Sequence, residues 1–267
     1  IPALTRRAVA FVETNAGGSA QGSPYFLYFP LTSPHSPIVP NEAFQGISGA
    51  GNYGDFVAEV DWVVGQVLDA VERSGELDNT LFIFASDNGP EGQVPDDSGA
   101  FARIQEHEHY SMGPLRGIKR DVWEGGHRVP FIASWPEVIR RHTRCDQPVG
   151  LGDLMATCAE IVGATLTGDA GEDSVSMLPL LQGRTDQPTR RTLVHHSAGG
   201  DFALREGQWV LIDAPADHGR PEPAWFREQR GIEAHNEVGE LFDLASDLGE
   251  RQNRYAAHPE LVERLGG

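Results

Sequence analysis

Cysteine is nearly absent. Two occur in 267 residues, Cys145 and Cys158, and neither sits in a CxxC or a Cys/His cluster. That argues against a disulfide framework and a thiolate zinc site, and two cysteines do not fix a redox compartment. Long apolar runs are absent as well. None approaches the roughly 18 residues of a membrane span, and the opening IPALTRRAVA has no signal-peptide hydrophobic segment. The chain does not start on methionine, so it reads as a processed product or a fragment. Positive charge is scarce: 21 Lys+Arg stand against 39 Asp+Glu, a net charge of -18. General binding to nucleic acid or anionic membrane is disfavoured, because that affinity rests on neutralised phosphates. A small anion in a local basic pocket is still compatible with this charge. There is no internal repeat or low-complexity tract.

What is present is an ordinary globular mixture, 39% hydrophobic and 22% charged, long enough for one large core or two unequal domains. Residues 25–31, YFLYFPL, read as a short buried strand. Over 53–71 the apolar side chains Tyr53, Phe56, Val57, Val60, Val63, Val64, Val67, Leu68 and Val71 recur at intervals of three and four, one face of a helix. Gly75 ends it, and 81–85 follows as the next buried strand. Strand, helix, strand in this order predicts a crossover unit in a parallel sheet. Residues 129–134 read as another strand. A helix is expected over 151–162, with Leu151, Leu154, Met155, Cys158, Ile161 and Val162 on its core stripe, which makes Cys158 a packing residue. Beyond Arg191 the texture changes to short strands over 192–195 and 202–212, the second broken by a hairpin turn at 205–208, with Trp209 in the core of a small sheet. The fold class expected is α/β, with a mostly parallel sheet in residues 1–185, followed over 186–267 by a small α+β subdomain carrying a short antiparallel sheet.

Three segments carry candidate chemistry. The strand at 81–85 runs into Asp87-Asn88-Gly89, and in an open parallel sheet ligands gather beyond the carboxyl ends of strands. A carboxylate beside an amide carbonyl offers two hard oxygen ligands of the kind Ca²⁺ or Mg²⁺ takes, although Asp-Asn-Gly alone is also a common turn. SPHSPIVP at 33–40 follows the first strand, and its prolines restrict how His35 points. A histidine held there can protonate a leaving oxygen or bind an anion; alone it is equally a surface-loop histidine. In 117–136, GIKRDVWEGGHRVPFIASWP, Gly125-Gly126 calls for unusual backbone and Lys119 offers a cation for an anion contact.

The combination resembles the sulfatase family, the formylglycine- and calcium-dependent enzymes of the alkaline-phosphatase-like superfamily, whose fold places helices on both faces of the sheet. PHSP at 34–37 resembles the histidine loop, SDNG at 86–89 the second half of the calcium site, and GIK at 117–119 with WEGG at 123–126 the sulfate-lysine segment. GELFDL at 239–244, with Asp247 and Glu250 after it, resembles the late C-terminal signature. The resemblance implies one Ca²⁺ with Asp87 and Asn88 among its ligands, Lys119 on the sulfate, and His35 on the sulfate or donating a proton to the departing alcohol. It also implies a sulfated carbohydrate or aryl sulfate ester as substrate, and a periplasmic or extracellular location. The family's acidic calcium pair and its Cys- or Ser-x-Pro-x-Arg sequence, whose first residue becomes formylglycine, have no counterpart: Cys145 is followed by Asp-Gln-Pro and Cys158 by Ala-Glu-Ile. The chain therefore looks like the C-terminal portion of a sulfatase without its nucleophile, inactive by itself.

Two other functions are weighed against this one. A phosphodiesterase or phosphatase of the same superfamily would more often place histidine where Asn88 stands. A noncatalytic module binding anionic glycans through Lys119 and His35 would need no nucleophile. Of the remaining polar features, EHEH at 106–109 within the polar stretch 91–111 reads as a substrate-rim loop rather than a metal cluster. His195 and His196 are expected on opposite faces of a strand, and Arg128 is expected to anchor the strand entry through an acid while His127 lies near the site.

Overall fold

The computed structural model describes residues 1–92, 99–215, 218–219 and 222–267. Proline in the first turn, where its missing N–H is no loss, opens helix α1 (Pro2–Asn15). The apolar stripe expected over 53–71 is realised as α2 (Gly51–Arg73), along which Phe56, Val60, Val63, Val67, Ala70 and Val71 are buried. Gly75, at φ 72°, lets the chain leave the helix in the left-handed region. Ala8 and Val12 of α1 pack with Val67, Ala70 and Val71 of α2. Each fully buried valine there contributes about 1.5–2 kcal/mol of transfer free energy.

Tyr25, Leu27 and Phe29 pack against that same helical pair. The alternate residues Phe26 and Tyr28 are 74% and 77% exposed. Residues 25–31 thus keep the two-residue alternation of a strand, but they form no ladder, which corrects the buried strand expected there. Periodicity selects the extended backbone; a strand also requires a hydrogen-bonding neighbour, and the described residues supply none.

After β1 (Phe82–Ala85) come α3 (Ala100–His107), the four-residue α4 (Glu124–His127) and β2 (Phe131–Ser134), and β1 and β2 make a two-stranded sheet. The broad parallel sheet is not displayed by the described residues, whose other sheet is antiparallel. Helix α3 occupies part of the stretch expected to be a polar loop, because Ala100, Arg103 and Ile104 give it a buried face. Residues 93–98 of that stretch lie outside the described residues.

Helix α5 (Asp153–Ile161) forms where expected, but with a different inner face. Leu151, Met155, Ile161 and Val162 are exposed, while Asp153, Thr157 and Ala159 are buried. The polar pair is satisfied from elsewhere: Asp153 accepts from the backbone of Gly150 and Val175 and pairs with Arg190, and Thr157 accepts from Met177 N. Cys158 is half-buried rather than core.

A short helix α6 (Leu178–Leu181) precedes β3 (Thr192–His196), β4 (Phe202–Glu206) and β5 (Trp209–Asp213); α7 (Ala224–Arg230), β6 (Glu240–Asp243) and α8 (Pro259–Gly266) complete the chain. The four strands form one antiparallel sheet in order β3-β4-β5-β6, with Leu204 opposite Leu211 and Leu211 opposite Leu241. Glu206 pairs with Trp209 across a two-residue turn whose Gly207, at φ 58°, supplies the positive φ that such hairpins need. Alternation gives this sheet two apolar faces. Leu211 and Leu241 pack on Leu265 of α8, with Trp209 at the edge of the cluster. Ala203, Val210, Ile212 and Phe242 pack on Val122 and Trp123 of the lysine-bearing segment.

The chain divides into two compact units. The first is built on Ile1–Ile83 with α3 and Ala133–Glu137; the second comprises Phe84–Gly92, Tyr110–Ile132 and Val138–Gly267.

Candidate active site

Within the second unit, β1 ends in a turn shaped by its own polar groups. Ser86 Oγ donates to Asn88 O at 3.0 Å, and Asn88 Nδ2 donates to Gly89 O at 2.9 Å. That leaves the Asn88 amide oxygen free to accept. Asp87 is exposed, and its carboxylate has no ion-pair or hydrogen-bond partner among the described residues.

Gly89 then meets the lysine-bearing segment at very close range. Its N–H donates to Gly126 O at 2.9 Å, and a Cβ on Gly89 would lie 1.8 Å from Gly125 O. Pro90 O accepts from Lys119 N at 2.8 Å, and Gly125 N donates to Arg116 O at 2.6 Å. A Cβ on Gly125 would lie 2.3 Å from Gly117 O, and one on Gly126 2.2 Å from Asp121 O. Three stretches of backbone therefore cross where no side chain fits. The glycines that sequence reading marked as unusual backbone are the crossing points that join the Asp87-Asn88 turn to the Lys119 loop.

Lys119 occupies the second position of a tight turn. Asp121 N donates to Ile118 O and Ile118 N to Asp121 Oδ2, both at 2.9 Å, and Arg120 at the third position has φ 83°. A positive φ there is the pattern of a type II turn. In a non-glycine residue it stores about 1 kcal/mol or more of strain, which the surrounding bonds hold in place. The Arg120 guanidinium pairs with Glu91, leaving the half-buried Lys119 ammonium without a partner among the described residues. Lys119 is also the only lysine in the sequence. A sole lysine is a compositional signal that by itself marks the position.

Behind this loop lies a buried polar cluster that sequence reading did not find. Glu240, on β6 and fully buried, accepts from Trp123 Nε1 at 2.8 Å and contacts His218 and His235, each at 2.7 Å. The Arg116 guanidinium lies 3.8 Å from the Trp123 ring centre and donates to Glu222 at 3.1 Å. Burial alone would raise the Glu240 pKa, but the His218 hydrogen bond and the Arg116 charge hold it below the usual carboxylate range. Glu250 is the opposite case: full burial and the nearby Glu124 carboxylate push its pKa well above that range. One of its oxygens accepts from Glu124 N at 2.8 Å, and the other has no partner among the described residues.

Arg128 donates to Glu124 at 2.8 Å, the acid anchor expected for it. The rings of His127 and His195 lie against each other, centroids 3.7 Å apart and planes tilted by 41°, and both point Nε2 at Val122 O, at 2.9 and 3.1 Å. His196 faces outward, as the alternation requires. Burial, with His127 adjacent, takes the His195 pKa down to about 3, and burial also lowers that of His127.

His35 belongs to the first unit. It is exposed, and its Nδ1 lies 2.8 Å from Ser36 O. Of the four candidate residues, the crossing thus joins the loops bearing Asp87, Asn88 and Lys119. Among the described residues no three His, Cys, Asp or Glu side chains gather as a metal cluster, EHEH included. Within 106–109, Glu106 and His107 end helix α3, and Glu108 turns away at φ 52°.

The sulfatase family profile matches residues 3–164. The chain belongs to the sulfatase family. It is 33% identical over 265 residues to an N-acetylgalactosamine-6-O-sulfatase of Bacteroides thetaiotaomicron, a match covering 98% of this chain and 48% of that protein. To arylsulfatase A of Bos taurus it is 35% identical over 268 residues, covering 95% and 49%. A solved structure from work on glycosaminoglycan metabolism by Bacteroides thetaiotaomicron superposes with a TM-score of 0.82 at 30% identity, covering 98% of this chain and 52% of the other. The sulfatase chain thus spans about half the length of these relatives. Among its described residues, no helix is long and apolar enough to cross a membrane. The donor set at 86–89 fits a hard cation: among the described residues its carboxylate is unpaired and its amide oxygen accepts no hydrogen bond, and both are oxygen donors.

Proposed function

We propose that the chain supplies part of the active site of a sulfuric ester hydrolase acting on a sulfated sugar or an aryl sulfate, in the periplasm or outside the cell. Asp87 and Asn88 serve as oxygen ligands of one Ca²⁺, Lys119 binds the sulfate oxygens, and His35 donates a proton to the departing alcohol. What supports this reading is the glycine crossing, which ties a turn bearing unpaired hard oxygens to a turn bearing the unpaired ammonium. A bound Ca²⁺ would offset charge on the sulfate oxygens. Lys119, fixed at a turn corner and unpaired, meets a tetrahedral anion without first breaking an ion pair. His35 Nδ1 is engaged with Ser36 O, so Nε2 is the nitrogen left to carry a proton to the leaving oxygen. The nucleophile is a formylglycine from a segment these 267 residues do not contain.

The test is turnover of an aryl sulfate and of a sugar 6-sulfate. We expect none from the 267 residues alone and measurable turnover once they are joined to a formylglycine-bearing sulfatase segment. In the joined protein, Asp87→Ala should be partly rescued by added Ca²⁺ and Lys119→Ala should not. His35→Ala should slow the sugar ester more than the activated aryl ester, since only a poor leaving group needs full proton donation. Unchanged rates in all three variants would sink the assignment, and robust turnover by the 267 residues alone would show the nucleophile to be misread.

A further inference from the structure

Arg116 faces two ways. Its carbonyl anchors Gly125 in the crossing, and its side chain lines a separate cavity of about 300 Å³ in the second unit. Phe226, Ile232 and Leu248 form an apolar wall of this cavity, and Arg230 and Arg251 complete a set of three guanidinium groups around it. The three are not equally engaged. Arg116 is 6% exposed and held by Glu222 at 3.1 Å, Glu250 O at 3.2 Å and, more distantly, Glu240 at 3.8 Å. Arg251 uses Nε on Asp247 at 2.9 Å, and its two terminal nitrogens have no partner among the described residues. Arg230 donates one Nη to Gly113 O at 2.6 Å and lies 4.8 Å from the Tyr110 ring centre and 5.3 Å from that of Phe226. No carboxylate among the described residues pairs with it.

Glu222 and Asp247 thus neutralise Arg116 and Arg251, and Arg230 is left as one uncompensated positive charge beside an apolar wall. In a chain of net charge -18, the overall field repels anions, so attraction here has to be local. Guanidinium forks match the paired oxygens of carboxylate and sulfate. A ring with apolar C–H faces suits the wall, and the volume lies at the small end of ligand pockets, roughly 300–1,000 Å³. We propose that this cavity is a second binding site, distinct from Lys119, for a sugar carrying a single carboxylate or sulfate. Arg230 and Arg251 hold the charged group and Leu248, the most open residue of the apolar wall, packs against the ring. Because its occupant need not react, the site does not depend on the sulfatase reading of Lys119.

Calorimetry on the 267-residue chain at low ionic strength tests this with glucuronate, galactose 6-sulfate, neutral galactose and inorganic sulfate. The expected result is a dissociation constant on the order of 1 mM for both sugar anions, at least tenfold weaker binding of galactose and inorganic sulfate, and tenfold loss in Arg230→Gln and in Arg251→Ala. Circular dichroism checks that both variants fold; Arg251 is exposed, so its replacement keeps the test valid if Arg230→Gln unfolds. Lys119→Ala should leave the glucuronate affinity unchanged, because the contact proposed for that loop is to sulfate oxygens. Equal binding of inorganic sulfate would overturn the sugar site in favour of a bare anion site. Loss of binding in Lys119→Ala with retention in both arginine variants would place the ligand at the loop and overturn the second site.

Discussion

Replacing Gly89 by alanine probes the crossing most directly. The new methyl would sit 1.8 Å from Gly125 O, so one of two backbones must retreat by about 1 Å or more to reach ordinary contact. Neither is a flexible side chain tip. Overpacking of this kind costs about 1–3 kcal/mol, and losing the bond from Gly89 N to Gly126 O adds about 0.5–1.5 kcal/mol. A destabilisation of about 2–4 kcal/mol follows, which for a chain of this size is a Tm lower by roughly 5–15 °C. Gly65→Ala is the matched control. Gly65 lies inside α2 with nothing within 4 Å of its would-be Cβ, so alanine there should stabilise by about 0.5–1 kcal/mol through helix propensity. Urea denaturation of both variants reads the difference, with unchanged m-values showing that compactness is preserved. Opposite signs are required. A Gly89→Ala chain within 0.5 kcal/mol of the parent would refute the claim that the two loops are registered by backbone contact.

Other expectations concern the buried charges. Glu250→Gln mimics the protonated acid. Because the folded pKa is raised, the parent loses stability as pH climbs above the ordinary carboxylate value, by at most about 1.4 kcal/mol per pH unit, and the glutamine variant should lose less between pH 5 and 8 in parallel denaturation series. His195 runs the other way. Folded His195 titrates at about 3 against about 6.5 unfolded, so stability present above pH 6.5 is lost as pH falls toward 3, and His195→Gln should flatten that acid limb. Glu240→Gln removes the carboxylate that meets Arg116, Trp123, His218 and His235 and should cost about 3 kcal/mol in urea.

How much the sequence discloses depends on how far away the deciding partner lies. The α2 stripe is legible because helix and core are specified by the same residues, Phe56 through Val71. Helix α5 is legible as a helix, but its buried face is not. Asp153 and Thr157 turn inward only because Arg190, Val175 and Met177 satisfy them, and no local pattern announces those partners. Residues 25–31 show the same limit for a strand, where alternation survives without a ladder. In the candidate site, the acid-amide turn, the lysine and the paired glycines stand out as local motifs. Their joining through Gly89 does not, and neither does the cluster on Glu240, whose bond to Trp123 spans 117 positions.

The solitary lysine has a practical consequence. Supplying the cell with lysine labelled at its side-chain nitrogen would place the isotope at one ammonium, so a spectrum filtered for that nucleus would contain a single resonance from Lys119. Titrating inorganic sulfate or a divalent cation would then report on this turn alone, without substitution and without an attached dye. Amine-directed coupling to a surface would leave only the terminal amine and this loop as points of attachment. A chain whose cations are otherwise all arginine thus carries its own spectroscopic probe at the position where an anion contact is proposed.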